Sequence, residues 1–229
     1  MKNLKTYILE KKVTIDDVTS FINNYYQSNG LKEVGKYDKE TDSGTFFVYD
    51  DLKYEVIEKS GKFIVNVIGG VRTKRSDIPH LNGGGLFEWG EIDAFDCSRS
   101  RNIKTLEGAP NKCEVFSCIG CNNIKSLKGC PNECTDFYCC DCKNLKTLEG
   151  APNECTNFDC SGCDKLTSLK GSPKKVLGNF DCCNCYSLKG LKGLPDIIEG
   201  NLKCKGCNLK SDDIYPYNKN VYCDIIYLY

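Results

Sequence analysis

The stretch Cys134-Thr-Asp-Phe137-Tyr-Cys139-Cys-Asp-Cys142-Lys-Asn-Leu145-Lys-Thr-Leu148-Glu-Gly150-Ala-Pro152 decides the fold. Phe137 and Cys139 alternate with outward-reading residues, which is the two-residue period of a strand with one buried face. Cys142, Leu145 and Leu148 follow at turn-like spacing, and Gly150-Ala-Pro152 can continue neither a helix nor a sheet ladder. The same order recurs along the chain. Phe95, Phe116, Phe137, Phe158, Phe180 and Leu202 stand 21, 21, 21, 22 and 22 residues apart. Two residues after each comes a cysteine, Cys97, Cys118, Cys139, Cys160, Cys182 and Cys204, and five residues after all but the first comes another, Cys121, Cys142, Cys163, Cys185 and Cys207. A glycine then closes five copies at Gly108, Gly129, Gly150, Gly171 and Gly193, each two residues before a proline. One copy cannot bury its own Phe, Cys and Leu, but copies stacked at about 4.8 Å per coil can. The period therefore predicts a solenoid of about six coils with parallel strands.

These residues resemble the short bacterial leucine-rich repeat of 20 to 22 residues, whose coil reads Leu-x-x-Leu-x-apolar-x-x-Asn/Cys-x-Leu and returns through a proline-containing segment. Cys134, Phe137, Cys139, Cys142, Leu145 and Leu148 match it over the whole coil, with Cys142 in the place usually held by Asn and one extra residue before Leu145. Similar cysteine-rich repeats are found in bacterial and phage proteins. The resemblance covers residues 92–211 and implies a solenoid that binds another protein. Some effectors with such repeats carry a ubiquitin ligase after them. Only Lys210 to Tyr229 follow here, so that activity is not expected.

Lysine plus arginine equals aspartate plus glutamate, 31 each, so no basic excess announces nucleic acid or an anionic membrane. The apolar run Tyr7 to Leu9 is too short for a signal-peptide core, and no later run approaches the ~18 apolar residues of a membrane span. A soluble, cytoplasmic chain is expected. All 18 cysteines lie at or beyond Cys97. Cys118-x-x-Cys121 followed by Cys139-x-x-Cys142 has the spacing of a four-cysteine zinc site, yet a 21-residue period with two cysteines per coil creates that spacing with or without metal. The favoured reading is two inward ladders of free thiols, acting as small apolar residues and weak donors to turn backbone. Metal ligation and structural disulfides remain the alternatives. Cys140 and Cys183 follow ladder positions, so alternation turns them outward, and they are expected to be the more oxidisable thiols.

Before the repeats, Thr14-Ile-Asp-Asp17 has the form of a helix start, and Ile15, Val18, Phe21, Ile22 and Tyr25 recur at helical spacing up to a stop at Asn29-Gly30. Gly44 to Tyr49, Lys53 to Ile57 and Phe63 to Ile68 read as strands, with a further one near Leu31 to Tyr37. The expected organisation is α+β. A small α/β-hairpin domain over 1–70, a linker and N-terminal cap over 71–91, the solenoid over 92–211 and a C-terminal cap over 212–229 follow in order. Val221 to Ile226 echoes the repeat and reads as the capping strand. Trp89 reads as a plug over the open end of the stack. His80, the one histidine, has no serine-nucleophile motif and no acid fixed beside it, and Gly83-Gly84-Gly85 lacks the helix and Lys-Ser/Thr of a phosphate loop. No enzyme and no cofactor is expected.

Strand alternation sets Asp96, Ser117, Tyr138, Asp159, Asp181 and Lys203 on the open face, with Asp136 and Asn157 one residue before the Phe column. The acids Asp96, Asp136, Asp141, Asp159 and Asp181 around Tyr138 form the expected partner-binding set, selecting a protein with a basic surface. The return segments collect Lys104, Lys125, Lys128, Lys146, Lys170, Lys189 and Lys192. With no aromatic among those lysines, nucleic acid is not the expected partner. An inhibitor of a host protein encoded by a phage or mobile element, and a Cys-ligated metal-binding protein, are the other functional readings.

Overall fold

The computed structural model describes residues 13–28, 32–33, 47–48, 54–67, 69–73 and 77–210. The expected capping strand at Val221 to Ile226 lies outside them. Helix α1 (Ile15–Tyr25) begins with the expected cap: the Asp17 N–H donates to the Thr14 hydroxyl at 3.3 Å, and the Thr14 N–H donates to Asp17 Oδ2 at 2.9 Å. It ends at Tyr25 rather than at Asn29-Gly30, because Tyr26 takes extended backbone and opens strand β1 (Tyr26–Ser28). Strands β2 (Lys32–Glu33) and β3 (Phe47–Val48) pair antiparallel. Strands β4 (Tyr54–Lys59) and β5 (Lys62–Val67) form a hairpin whose turn residues, Ser60 and Gly61, both have positive φ (53° and 73°), the twist that two-residue hairpins favour.

The segment expected to link this part to the repeats contains β6 (Gly70–Thr73) and β7 (Glu88–Trp89). The first pairs antiparallel with β1 and parallel with the first repeat strand, and the second pairs parallel with β5. The N-terminal residues thus extend the sheet of the repeats. The coils supply β8 (Ala94–Asp96), β9 (Lys112–Ser117), β10 (Glu133–Tyr138), β11 (Glu154–Cys155), β12 (Asn157–Asp159), β13 (Lys175–Val176), β14 (Phe180–Asp181), β15 (Ile197–Ile198) and β16 (Leu202–Lys203). The main sheet runs β1-β6-β8-β9-β10-β12-β14-β16, and a second parallel sheet runs β11-β13-β15. This is a β-solenoid of about six turns with, among the described residues, a single helix.

Its register is that of the sequence period. Phe95, Phe116, Phe137, Phe158, Phe180 and Leu202 are direct neighbours in the ladder, and Val71 of β6 continues their column. All are essentially without solvent exposure. Successive Phe rings stack 5.2–5.9 Å apart. At the N-terminal end Trp89 stands edge-on to Phe95 at 5.2 Å and to Tyr26 at 5.1 Å, so an aromatic cluster covers the first coil. The Tyr26 hydroxyl and the Trp89 indole N–H both donate to the Leu81 carbonyl, at 2.7 and 3.1 Å, which lets two amphipathic rings be buried without an unpaired donor.

The repeating Gly-x-Pro also has a tertiary cause. Gly150 has φ +99°, and a Cβ there would stand 2.5 Å from the Lys128 nitrogen of the preceding coil. Gly129, Gly171 and Gly193 press on the coil before them in the same way. Only glycine allows both the left-handed backbone and this approach. A second left-handed column runs through Arg99, Gly120, Asp141, Gly162, Asn184 and Gly206, one per coil, four residues after each Phe position.

Candidate functional site

The inward cysteines spend their thiols on backbone. Cys121 donates to the Cys97 carbonyl at 3.1 Å, Cys142 to Cys118 at 3.2 Å, Cys163 to Cys139 at 3.3 Å, Cys185 to Cys160 at 3.2 Å and Cys207 to Cys182 at 2.9 Å. Each second-ladder thiol therefore holds the first-ladder backbone of the coil before it. The small thiol fits a fully buried site where it satisfies a carbonyl at low desolvation cost. The cysteines of the described residues are all free. No three His, Cys, Asp or Glu side chains among those residues converge where a metal ion could sit. Cys140 and Cys183 are partly exposed, as alternation places them, and burial reinforced by neighbouring carboxylates pushes both thiols up to about 12.

The strand face is built from columns running across the coils. Asp96, Ser117, Tyr138, Asp159, Asp181 and Lys203 are in direct register, with Arg72 of β6 beside Asp96. Asp136 pairs with Asn157 one residue earlier on the strands, and the Asn157 amide donates to its carboxylate at 2.8 Å. Asp136, Tyr138 and Asp159 are thus brought together. Asp96 and Asp181 each lie two coils from Tyr138, Asp96 beside Arg72 of β6 and Asp181 with Lys203 at 4.0 Å. Asp141 is elsewhere, at the left-handed turn position, where Lys143 approaches it at 3.1 Å and also reaches Asp164 at 3.4 Å. Its charge is offset locally.

Three of the face carboxylates also shape the coil. Asp96, Asp159 and Asp181 accept the N–H two residues on, from Ser98 at 2.9 Å, Ser161 at 2.8 Å and Cys183 at 2.9 Å. Such turns compete well with water for a short acidic side chain and set the strand-to-turn corner. They also hold the carboxylates in one orientation. Burial, opposed by the Ser161 donors, raises the Asp159 carboxyl above its usual range, and burial followed by Asp136 and Asp159 raises the Tyr138 phenol. Tyr138 therefore presents a neutral hydroxyl between two acids.

Sequence reasoning about the residues flanking each Phe missed a second acidic element. Over the first halves of β9 and β10 and over β11 runs a groove of about 950 Å³, lined by Glu91, Asp93, Glu114, Glu133 and Glu154 together with Thr135, Thr156 and Leu177. Lys112 is its one basic lining residue and is held by Glu133 at 2.9 Å. These acids stand four or two residues before the Phe positions, so the same period marks them. Glu114 and Glu133 stand on β9 and β10 of the main sheet, and Glu154 on β11 of the second sheet.

Compared with known protein families, with curated proteins and with solved structures, the chain matches none. Among the described residues, no helix is long and apolar enough to cross a membrane. Function must be argued from these surfaces.

Proposed function

We propose that this chain is a leucine-rich-repeat scaffold that binds another protein, taking a basic segment of it across the acidic strand face. The supporting observation is the arrangement around Tyr138: Asp136 and Asp159 flank a half-buried aromatic, and the acidic groove opens beside them. An aromatic set among carboxylates supplies an anchor together with a field that steers a cationic partner. Since hydrogen bonds already hold the carboxylates, little side-chain freedom is lost on docking.

The test is capture of partners from the protein's native source, identified by mass spectrometry. Tyr138→Ala combined with Asp159→Lys is expected to abolish capture through a slower, less salt-dependent association. Asp159→Asn keeps an oxygen for the Ser161 N–H and removes only the charge, so it separates loss of the field from loss of the turn. Lys146→Glu with Lys170→Glu, on the return segments, is expected to leave capture intact. Capture lost through those lysines and kept without Tyr138 would refute the assignment of the face.

A further inference from the structure

The charge of the chain is balanced overall but segregated around the coil. Opposite the acidic face, Lys104, Lys125, Lys146, Thr167 and Lys189 occupy the same position of five successive coils, nine residues after each Phe. Backbone bonds confirm the stacking: the Lys146 N–H donates to the Lys125 carbonyl at 3.1 Å, and the Lys189 N–H to the Thr167 carbonyl at 3.3 Å. All four lysines are exposed. Glu149, three residues beyond Lys146, pairs instead with Lys128 of the preceding coil at 3.9 Å. The lysine column spans four coil steps, roughly 19 Å at a strand spacing of about 4.8 Å.

Like charges at such spacing repel and draw a chain of anions between them. At the end of the column lies what the sequence did not reveal. Tyr186 is 54% exposed and lines a depression of about 480 Å³ with Thr167, Ser187, Lys189 and Asn208. A large exposed ring beside a row of ammonium groups is the pairing that single-stranded nucleic acid uses: phosphates track the cations and an unpaired base stacks on the ring.

We infer that the return-segment face binds single-stranded nucleic acid, with Lys104, Lys125, Lys146 and Lys189 along the phosphates and Tyr186 against a base. A straight column suits a flexible single strand, whereas the phosphates of a duplex curve away from it and its bases are closed to Tyr186. The face shares no residue with the strand face, so one can bind whether or not the other does.

The test is fluorescence anisotropy of the full chain with a labelled oligothymidylate of about 16 nucleotides, between about 50 and 200 mM salt. Four phosphate contacts predict a slope of log affinity on log salt near −3, from about −0.7 per contact on a single strand. Lys125→Glu with Lys146→Glu is expected to lower affinity at least ~10-fold and to flatten that slope. Tyr186→Ala is expected to weaken binding ~10-fold at unchanged slope. Circular dichroism and melting temperature check that each variant is folded. Absence of binding at the low-salt end overturns the inference. So does tighter binding of a duplex of equal length, or full binding by either variant, since each would leave only unspecific attraction between phosphate and a basic surface.

Discussion

Replacing Phe137 by leucine removes a ring from the centre of the stack while keeping a large apolar side chain in a site with no solvent exposure. Phe137 stacks on Phe116 at 5.2 Å and on Phe158 at 5.3 Å, so two ring–ring contacts are lost. Phe180 stacks on Phe158 at 5.4 Å, and its other ladder neighbour is Leu202, so Phe180→Leu loses one. Each ring pair contributes about 0.5–1.5 kcal/mol beyond the area it buries. The two variants share the same change of volume, so their difference isolates one pair. Phe137→Leu should cost about 1 kcal/mol more than Phe180→Leu, and at a urea slope of about 2 kcal/mol/M its midpoint should lie roughly 0.5 M lower. Trp89, packed on Phe95, reports the N-terminal end by fluorescence, and circular dichroism reports the whole stack. The two transitions should coincide if the coils melt together, as nearest-neighbour coupling demands. Phe180→Leu costing as much as Phe137→Leu would refute the claim that ring stacking across coils stabilises the ladder.

Alkaline pH should destabilise the fold. Burial pushes the Cys130 and Cys155 thiols from an ordinary value near 9 up to about 12. Their contribution is fully present below the unfolded value and is lost as pH rises through the interval to the folded one. There the unfolded chain releases protons that the folded chain keeps, so stability falls by about 1.4 kcal/mol per pH unit per thiol. Urea midpoints in reductant that stay level between about pH 8 and pH 10 would contradict this. Gly150→Ala should cost at least about 2 kcal/mol, because left-handed strain of about 1–2 kcal/mol adds to the clash with Lys128 backbone. Gly120→Ala, whose Cβ would meet only Arg99 Cγ at 3.5 Å, should show the strain alone, and equal losses at the two positions would exclude contact between coils as the cause. Purified protein should hold well under one metal per chain and keep its melting temperature in chelator, since the second-ladder thiols already donate to carbonyls. Stoichiometric metal, with unfolding on its removal, would mean that the ladders are ligands.

The repeat made the solenoid legible because each coil touches chiefly its neighbours. A period in sequence is then also a period in space, and the Phe, Cys, Leu and Gly columns could be read without coordinates. The Thr14–Asp17 cap was legible for a similar reason, since its partners lie three residues apart. The tertiary structure decided whatever depends on contacts that do not repeat. Strands β1 and β6 join the sheet of the coils through pairings with no periodic signal. The Leu81 carbonyl gathers Tyr26 from 55 residues away and Trp89 from 8. Within the candidate site, alternation placed the acids on one face but could not say what each carboxylate bonds to. Asp159 holds a turn N–H, Asp141 holds a lysine, and Asp136 holds an asparagine of the next coil. Those choices rest on distances of about 3 Å between side chains of the same kind. A sequence period fixes which column a residue occupies, and only packing fixes the donor its oxygen meets.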